Sequence, residues 1–93
     1  MIRSYGDKRS QRFADGERVP SFEGFRRHAE KRLRILEAAS LRDLFRLHSN
    51  RLEALSGDRK GQYSIRINQQ WHICFEWAQG ADGPENVEIV DYH

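Results

Sequence analysis

Three stretches in the second half of the chain alternate apolar with polar residues, and this period of two constrains the fold more than any other feature. Such alternation is typical of a β strand with one buried face. A turn at Asn68-Gln69-Gln70 and a loop from Gly80 to Pro84 separate the stretches, which predicts antiparallel strands joined by hairpins. The apolar positions are Tyr63, Ile65, Ile67, Trp71, Ile73, Phe75, Trp77, Val87 and Ile89. Residues Leu52–Leu55 predict one more strand, and the turn at 56–61 contains two glycines suited to positive φ.

The first half of the chain has the pattern of amphipathic helices. One apolar stripe at spacings of three and four predicts a helix over Phe22–Ala39, with Ser21 as its N-cap. The stripe comprises Phe22, Phe25, Ala29, Leu33 and Leu36. Shorter helices are predicted over Lys8–Ala14 and after Ser40, the latter with Leu41, Leu44 and Phe45 directed inward and His48-Ser49-Asn50 at its end. Ile2–Tyr5 is interpreted as a short edge strand.

These patterns together predict a single α+β domain over residues 1–93: a small twisted antiparallel sheet with the N-terminal helices packed on one face. A chain of 93 residues is too short to build two adequate cores. An antiparallel sheet commonly keeps one face in water. We therefore expect the second face to be polar, titratable and open. By strand parity it collects Arg66, His72, Cys74, Glu76, Glu88 and Tyr92.

Cysteine, histidine and apolar content narrow the classes of function. The one cysteine, Cys74, excludes an internal disulfide and a zinc ribbon, and it fits a reduced, cytoplasmic location. The four histidines form no HxxxH or HxH pair, so we expect no metal, and no glycine-rich phosphate loop indicates a cofactor. No leader pattern and no run of membrane-spanning length is found, which predicts no membrane association.

Charge is distributed unevenly along the chain. Residues 1–47 carry 12 Lys and Arg against 7 Asp and Glu, whereas residues 48–93 carry 4 against 7. A basic helical half can bind nucleic acid through its phosphates. Alternatively, its arginines solvate the outer faces of helices, and composition alone does not separate these interpretations.

The polar face carries groups suited to general acid–base work on a phosphodiester. Metal-free RNA cleavage needs a base for the 2′-hydroxyl, a cation for the phosphorane and an acid for the leaving oxygen. The candidates are Arg66, His72, Tyr92, His93 and Glu53, although the same residues also suit a merely solvated sheet face. A Cys74–His72 nucleophile pair is disfavoured, because residues two apart on a strand are separated by about 7 Å.

The sequence also carries an ordered set of motifs over its C-terminal half. They are RLEALSGDRKGQYSIRINQQWHICFEW, from Arg51 to Trp77, and the closing VEIVDYH, from Val87 to His93. In order and spacing these motifs resemble the HigB toxins of bacterial toxin–antitoxin pairs, also described as plasmid-maintenance killer proteins, within the RelE superfamily. The N-terminal half agrees in length, in its opening Met-Ile-Arg-Ser and in helical pattern, and is less diagnostic.

The resemblance implies a RelE-like fold and a ribosome-dependent mRNA endonuclease that cuts in the A site without a metal. It also implies a neighbour-encoded, HigA-like antitoxin with a helix-turn-helix domain, through which the toxin reaches operator DNA only indirectly. The basic half of the chain would then face ribosomal RNA in the bacterial cytoplasm.

Position by position, the resemblance assigns the C-terminal active-site motif to Asp91, Tyr92 and His93. His93 would transfer a proton, Tyr92 would stack or transfer a proton, and Arg66 with His72 would hold the phosphate. The chain departs from better-known relatives where it has His72 in place of arginine, Glu53 in place of histidine and Ser56 in place of lysine. These departures motivate two alternatives: a weakly cleaving or non-cleaving module that binds the ribosome or the antitoxin, and a co-repressor acting with HigA.

Overall fold

The computed structural model describes residues 1–47 and 52–91, which form three α-helices and one four-stranded sheet. The helices and strands, in chain order, are α1 (Lys8–Ala14), α2 (Arg26–Ala38), α3 (Leu41–Leu47), β1 (Leu52–Ala54), β2 (Gln62–Arg66), β3 (Trp71–Glu76) and β4 (Glu85–Asp91). The sheet is antiparallel throughout, with the strands in sequence order. The predicted α+β class and the predicted strand pairing are confirmed.

One row of aliphatic side chains crosses all four strands and fixes the register. Leu52 pairs with Ile65, Ile65 with Ile73, and Ile73 with Ile89. All four residues are buried against the helical layer. Because side chains alternate between faces, a slip of one residue in any strand would move its member of this row into the opposite face.

The helical layer meets the sheet through a group of aromatic rings. Phe22 lies between Phe13 of α1 and Trp71 of β3, with ring centroids 5.5 and 5.6 Å apart respectively. Phe25 adds a tilted contact of 5.1 Å with Trp71. Edge and tilted arrangements are favourable because they bring positive ring edges towards negative ring faces. The predicted apolar stripe therefore does cover the sheet.

The helix predicted over Phe22–Ala39 is shorter than expected, and Ser21 is not its N-cap. A 3₁₀ turn occupies Pro20–Phe25, and α2 begins only after Phe25, whose φ of −132° and ψ of 22° are not helical. Residues three apart lie above one another in a 3₁₀ turn, so Phe22 and Phe25 share a face there as they would in an α-helix. Their spacing alone does not distinguish the two conformations.

The third helix begins as predicted, but one of its apolar residues faces outward. The Asp43 N–H donates to Ser40 Oγ and the Ser40 N–H donates to the Asp43 carboxylate, which is a reciprocal cap. Leu44 is fully buried, whereas Phe45 is 47% exposed and its ring makes a T-shaped contact with Tyr63. The predicted inward orientation of Phe45 is therefore wrong. The predicted stop at His48-Ser49-Asn50 lies outside the described residues.

The outer edge of β4 is sealed by the N-terminal segment. Tyr5 forms a single parallel bridge with Val87, so the strand predicted over Ile2–Tyr5 is reduced to one bridge and its flanking hydrogen bonds. Two residues further along β4, the backbone N–H of Ile89 donates a hydrogen bond to Ser10 Oγ over 2.8 Å. Ser10 is fully buried, so this hydroxyl replaces a strand as the partner of a buried backbone group.

The sheet face opposite the helices is closed at its centre, contrary to the expectation of an open face. Ser64 and Cys74, direct cross-strand neighbours there, are each 1% exposed. The connection between β1 and β2 bends back sharply through Gly57 and Gly61, with φ of 64° and 94°. It places Arg59 beside β2, where its guanidinium donates to Gln62 Oε1. Polar side chains still reach solvent at the ends of this face and on its outer strand β1, where Glu53 is exposed.

None of the helices in the described residues is long and apolar enough to span a lipid bilayer.

Replacing Ser10 with alanine should destabilise the fold, because the buried Ile89 N–H loses its acceptor. We expect the free energy of unfolding to fall by about 1–3 kcal/mol. The melting temperature should drop by about 4–8 °C for each kcal/mol. Urea and thermal unfolding measure the change. Ser56→Ala, at an exposed serine whose side chain makes no capping hydrogen bond, is the matched control and should stay within about 0.5 kcal/mol of the unaltered protein. Equal losses in both variants would contradict this assignment.

Cys74 should react slowly with thiol reagents in the folded protein. Burial, opposed by Arg59 and reinforced by Glu88, raises the pKa of this thiol to about 11, so the reactive thiolate is scarce at neutral pH. Iodoacetamide labelling at pH 7.5, followed by mass spectrometry, should be at least about tenfold slower without denaturant than in 6 M guanidinium. Equal rates would show that the centre of this face is open to solvent.

Candidate active site

The candidate site lies at one end of the sheet, on the face opposite the helices. Arg66, the last residue of β2, pairs directly with His72 of β3, which pairs with Val90 of β4. Direct cross-strand neighbours have Cβ atoms about 4.5–5.5 Å apart, so the guanidinium and the imidazole can reach the same ligand atom. Arg66 is exposed, and His72 is half-buried with its Nδ1 atom shielded from solvent.

Glu53 lies on the same face, on the neighbouring strand β1. It lies opposite Ser64, two residues before Arg66 on β2, and it is therefore a diagonal neighbour of Arg66. Such diagonal pairs are about 7–8 Å apart, within reach of long side chains. The structure thus brings three of the six predicted site residues, Glu53, Arg66 and His72, onto one face.

Asp91 lies at the same end of the sheet but has the opposite orientation. It pairs with Trp71, whose ring packs among the helices, so strand parity directs Asp91 away from the face of His72. Its carboxylate is exposed and accepts a 2.7 Å hydrogen bond from the Gln70 side-chain amide. Asp91 therefore ties the end of β4 to the turn between β2 and β3.

That turn is itself held by a side chain. Asn68 Oδ1 accepts hydrogen bonds from the backbone N–H groups of Gln70 and Trp71, each over 2.8 Å. This is the local bonding for which asparagine is favoured in turns. The turn positions His72 at the start of β3 and Gln70 beside Asp91.

Tyr92 and His93, the two remaining predicted site residues, lie outside the described residues. Their proposed roles stay predictions from the sequence. In the sequence they follow directly after Asp91, the last described residue.

A buried arginine behind the site was missed by the sequence interpretation. Arg32 of α2 is 8% exposed, and its Nε–H donates to the carbonyl of Arg66 over 3.2 Å. It thus fixes the backbone that carries Arg66 and sets a full positive charge beneath this end of the sheet. The signal was present in the sequence, because Arg32 falls between Ala29 and Leu36 at spacings of three and four and so lies within the apolar stripe.

Cys74 does not form a nucleophile pair with His72. It pairs with Ser64 at the closed centre of the face, and its raised pKa keeps the thiol protonated. Arg59 lies near enough to lower that pKa partly, so a second guanidinium lies over this face. The predicted inertness of Cys74 agrees with this burial.

Within residues 1–47 and 52–91, no group of three or more His, Cys, Asp and Glu side chains is arranged to hold a metal ion. The arrangement at the site instead combines a guanidinium, an imidazole and a carboxylate on one surface. A guanidinium binds an anionic oxygen in two-point fashion, and an imidazole gives or takes a proton near neutral pH. These groups suit a phosphodiester better than a neutral substrate.

Comparison with known proteins gives two matches. The first is a 41% identity over 51 residues to the protein named Toxin HigB-1 of Vibrio cholerae serotype O1. The aligned part covers 54% of this chain and 54% of that toxin, about half of its length.

The second match is to a family as a whole and spans almost the entire chain. The model of the HigB-like toxin family, described as RelE-like toxins of the type II toxin–antitoxin system HigB, matches residues 3–93. This range includes the helical half, whose resemblance was the less diagnostic, as well as both C-terminal motifs. The chain therefore belongs to the HigB-like toxin family.

Proposed function

We propose that this protein is a toxin that cuts mRNA in the ribosomal A site by metal-free acid–base catalysis. Arg66 and His72 hold the scissile phosphate, and His93 transfers a proton. Tyr92 stacks on a base or assists proton transfer, and Glu53 is the candidate base. Asp91, held by Gln70, orients the two residues that follow it.

The observation that carries this proposal is the direct pairing of Arg66 with His72 next to the C-terminal motif. The two side chains share a face, and Val90, which pairs with His72, is separated from Tyr92 in the sequence by Asp91 alone. The 2′-oxygen attacks the scissile phosphate, and the bond from phosphorus to the 5′-oxygen then breaks. The phosphorane between these two steps carries more negative charge than the phosphodiester. A positioned cation therefore lowers the barrier more than it stabilises the substrate. Arg32 supports the arrangement, because it holds the backbone of Arg66.

The ribosome is proposed as the surface that delivers the substrate. Arg27, Lys31 and Arg34 follow at spacings of four and three along α2, and all three are exposed. They form one basic stripe, which we call the α2 basic stripe. A row of exposed cations binds phosphates without reading sequence, which suits contact with ribosomal RNA. The exposure of this stripe favours nucleic-acid binding as the interpretation of the basic helical half.

A HigA-like antitoxin with a helix-turn-helix domain is proposed as the protein partner. It would neutralise the toxin and carry it to operator DNA, which the toxin itself need not touch. Both partners imply that the protein acts in the bacterial cytoplasm.

A second candidate function is inhibition of translation without cleavage. The observation that favours it is the position of Glu53, an exposed carboxylate diagonal to Arg66. A carboxylate there repels the phosphate that the guanidinium attracts. His72 adds less charge than an arginine, because an imidazole is only partly protonated at neutral pH. In this case the protein would occupy the A site and stall the ribosome.

Replacing His93 with alanine should abolish A-site cleavage, because the proposed proton-transfer group is lost. Primer extension on a defined mRNA with purified 70S ribosomes should show discrete cuts with the unaltered protein. The variant should lose at least about 100-fold in rate, the lower end of the usual contribution of a general acid or base. His28→Ala, an exposed histidine on α2, is the matched control and should cut normally.

Three outcomes of that assay separate the candidates. Cuts that need the ribosome and vanish in His93→Ala support the nuclease. Cuts that persist in His93→Ala contradict the C-terminal site. Stalled ribosomes with bound protein and intact mRNA favour the second candidate function.

Replacing His72 with arginine should raise the cleavage rate, because a permanent charge then faces the phosphate beside Arg66. We expect roughly a tenfold increase, equivalent to about 1.4 kcal/mol of barrier. The repulsion between two facing arginines should lower the free energy of unfolding by no more than about 1 kcal/mol. Single-turnover cleavage measures the rate. Gln69→Arg adds the same charge in the neighbouring turn and should leave it unchanged. An equal or slower rate for His72→Arg would contradict a charge limit at this position.

A further inference from the structure

A cavity of about 230 Å³ lies on the helical side of the molecule, between the N-terminal segment, α1 and α2. Its walls include the apolar side chains of Ile2, Phe13 and Leu33. None of the described candidate site residues lines it. The cavity is smaller than the roughly 300–1,000 Å³ typical of small-molecule sites, so its size suits a side chain better than a cofactor.

The rim of the cavity carries two carboxylates, those of Glu30 and Glu37, and one guanidinium, that of Arg34. All three lie on α2, and Glu30 is engaged by Arg26 at 3.6 Å. Glu37 is exposed and forms no ion pair with any residue of 1–47 or 52–91. Burial, followed by the carboxylates of Glu37 and Asp15, raises the pKa of Tyr5, which also lines the cavity. The two carboxylates add to the effect of burial, and the same carboxylates would favour a cation nearby.

An apolar cavity with an available carboxylate at its mouth matches the shape of a long basic side chain. Lysine and arginine bury a methylene stem against apolar walls while the charged head stays at the surface. The aromatic faces of Phe13 and Tyr5 add cation–π attraction if the head approaches them.

We propose that this cavity receives one lysine or arginine side chain from the antitoxin, with its stem on Ile2, Phe13 and Leu33 and its head at Glu37. The inference rests on the proposed function for the existence of that partner, and it adds where the partner binds and by what chemistry. A second copy of this chain is the alternative occupant, and the experiment below separates the two.

This location also gives a mechanism of neutralisation. Arg34 lines the cavity and is the last member of the α2 basic stripe. A partner segment anchored in the cavity covers that end of the stripe, whereas Arg66 and His72 lie on the opposite face of the sheet. The antitoxin would then prevent ribosome binding and leave the catalytic face uncovered.

Glu37→Lys tests the proposal, with Asp58→Lys as the matched control. Asp58 is an exposed carboxylate in the connection between β1 and β2, outside the cavity. The probe is the purified protein encoded next to this chain's gene, titrated by calorimetry into each folded toxin variant. We expect Glu37→Lys to raise the dissociation constant at least about tenfold and Asp58→Lys to change it less than about twofold. Thermal unfolding verifies that both variants are folded.

A charge swap identifies the anchoring residue. Each Lys and Arg of the partner is replaced in turn by Glu, and one such variant should bind Glu37→Lys better than it binds the unaltered toxin. Unchanged affinity of Glu37→Lys, or no binding by the unaltered toxin, overturns the proposal. Self-association of the toxin in sedimentation that Glu37→Lys abolishes also overturns it, because the occupant is then a second copy.

Ribosome-dependent cleavage is measured separately on the same variants without the partner. Cleavage should be unaffected by Glu37→Lys, because Glu37 lies outside both the candidate site and the α2 basic stripe. Absence of cleavage in every variant would remove the proposed nuclease function while the binding result still decides the role of the cavity.

Discussion

The row formed by Leu52, Ile65, Ile73 and Ile89 determines most of this structure. It aligns four strands of unequal length in one register and buries their shared face under the helices. Since side chains alternate between the two faces along a strand, this register also determines which side chains pair on the opposite face. The pairing of Arg66 with His72 is such a consequence, because each follows or precedes a member of the row by one residue. The hydrophobic core thus sets the register that places these two side chains on one face.

Two buried polar side chains supply hydrogen bonds that the apolar core cannot make. Ser10 gives the Ile89 N–H a partner at the edge of the sheet, where no further strand is available among the described residues. Arg32 crosses from α2 to the end of β2 and bonds to the carbonyl of Arg66. Both residues are buried, and buried polar groups stabilise a fold only when they are hydrogen-bonded. They tie the helical half to the strands that carry the site.

The features that depend on periodicity were predictable from the sequence, and those that depend on tertiary contacts were not. Alternation in β2, β3 and β4 predicted their inward faces, and Ser40 predicted the cap of α3. The pattern of Phe22 and Phe25 fits both a 3₁₀ turn and an α-helix, so the late start of α2 was missed. The closure over Cys74 was missed because the turn containing Arg59 folds back onto the sheet, which no local pattern encodes. Phe45 was assigned to the core although its position on α3 leaves nearly half of it in water.

The candidate site was predictable in part for the same reason. Parity alone placed Arg66 and His72 together, and the register of β1 brings Glu53 beside them. The motif grouped Asp91 with Tyr92 and His93, whereas strand pairing directs it towards the side of Trp71. Membership of the same sequence motif as Tyr92 and His93 therefore does not place Asp91 on the face of Arg66 and His72. The buried Arg32 shows the reverse case, a contribution to the site from a residue far away in the sequence.

The two edges of the sheet limit pairing with other chains in different ways. The edge at β4 is occupied by the N-terminal segment and Ser10. The edge at β1 is only three residues long. An exposed edge strand recruits other chains in proportion to the backbone groups it offers, and very short edges are one of the ways in which proteins avoid aggregation. Along the described part of the sheet, few backbone groups are therefore left for another chain to pair with.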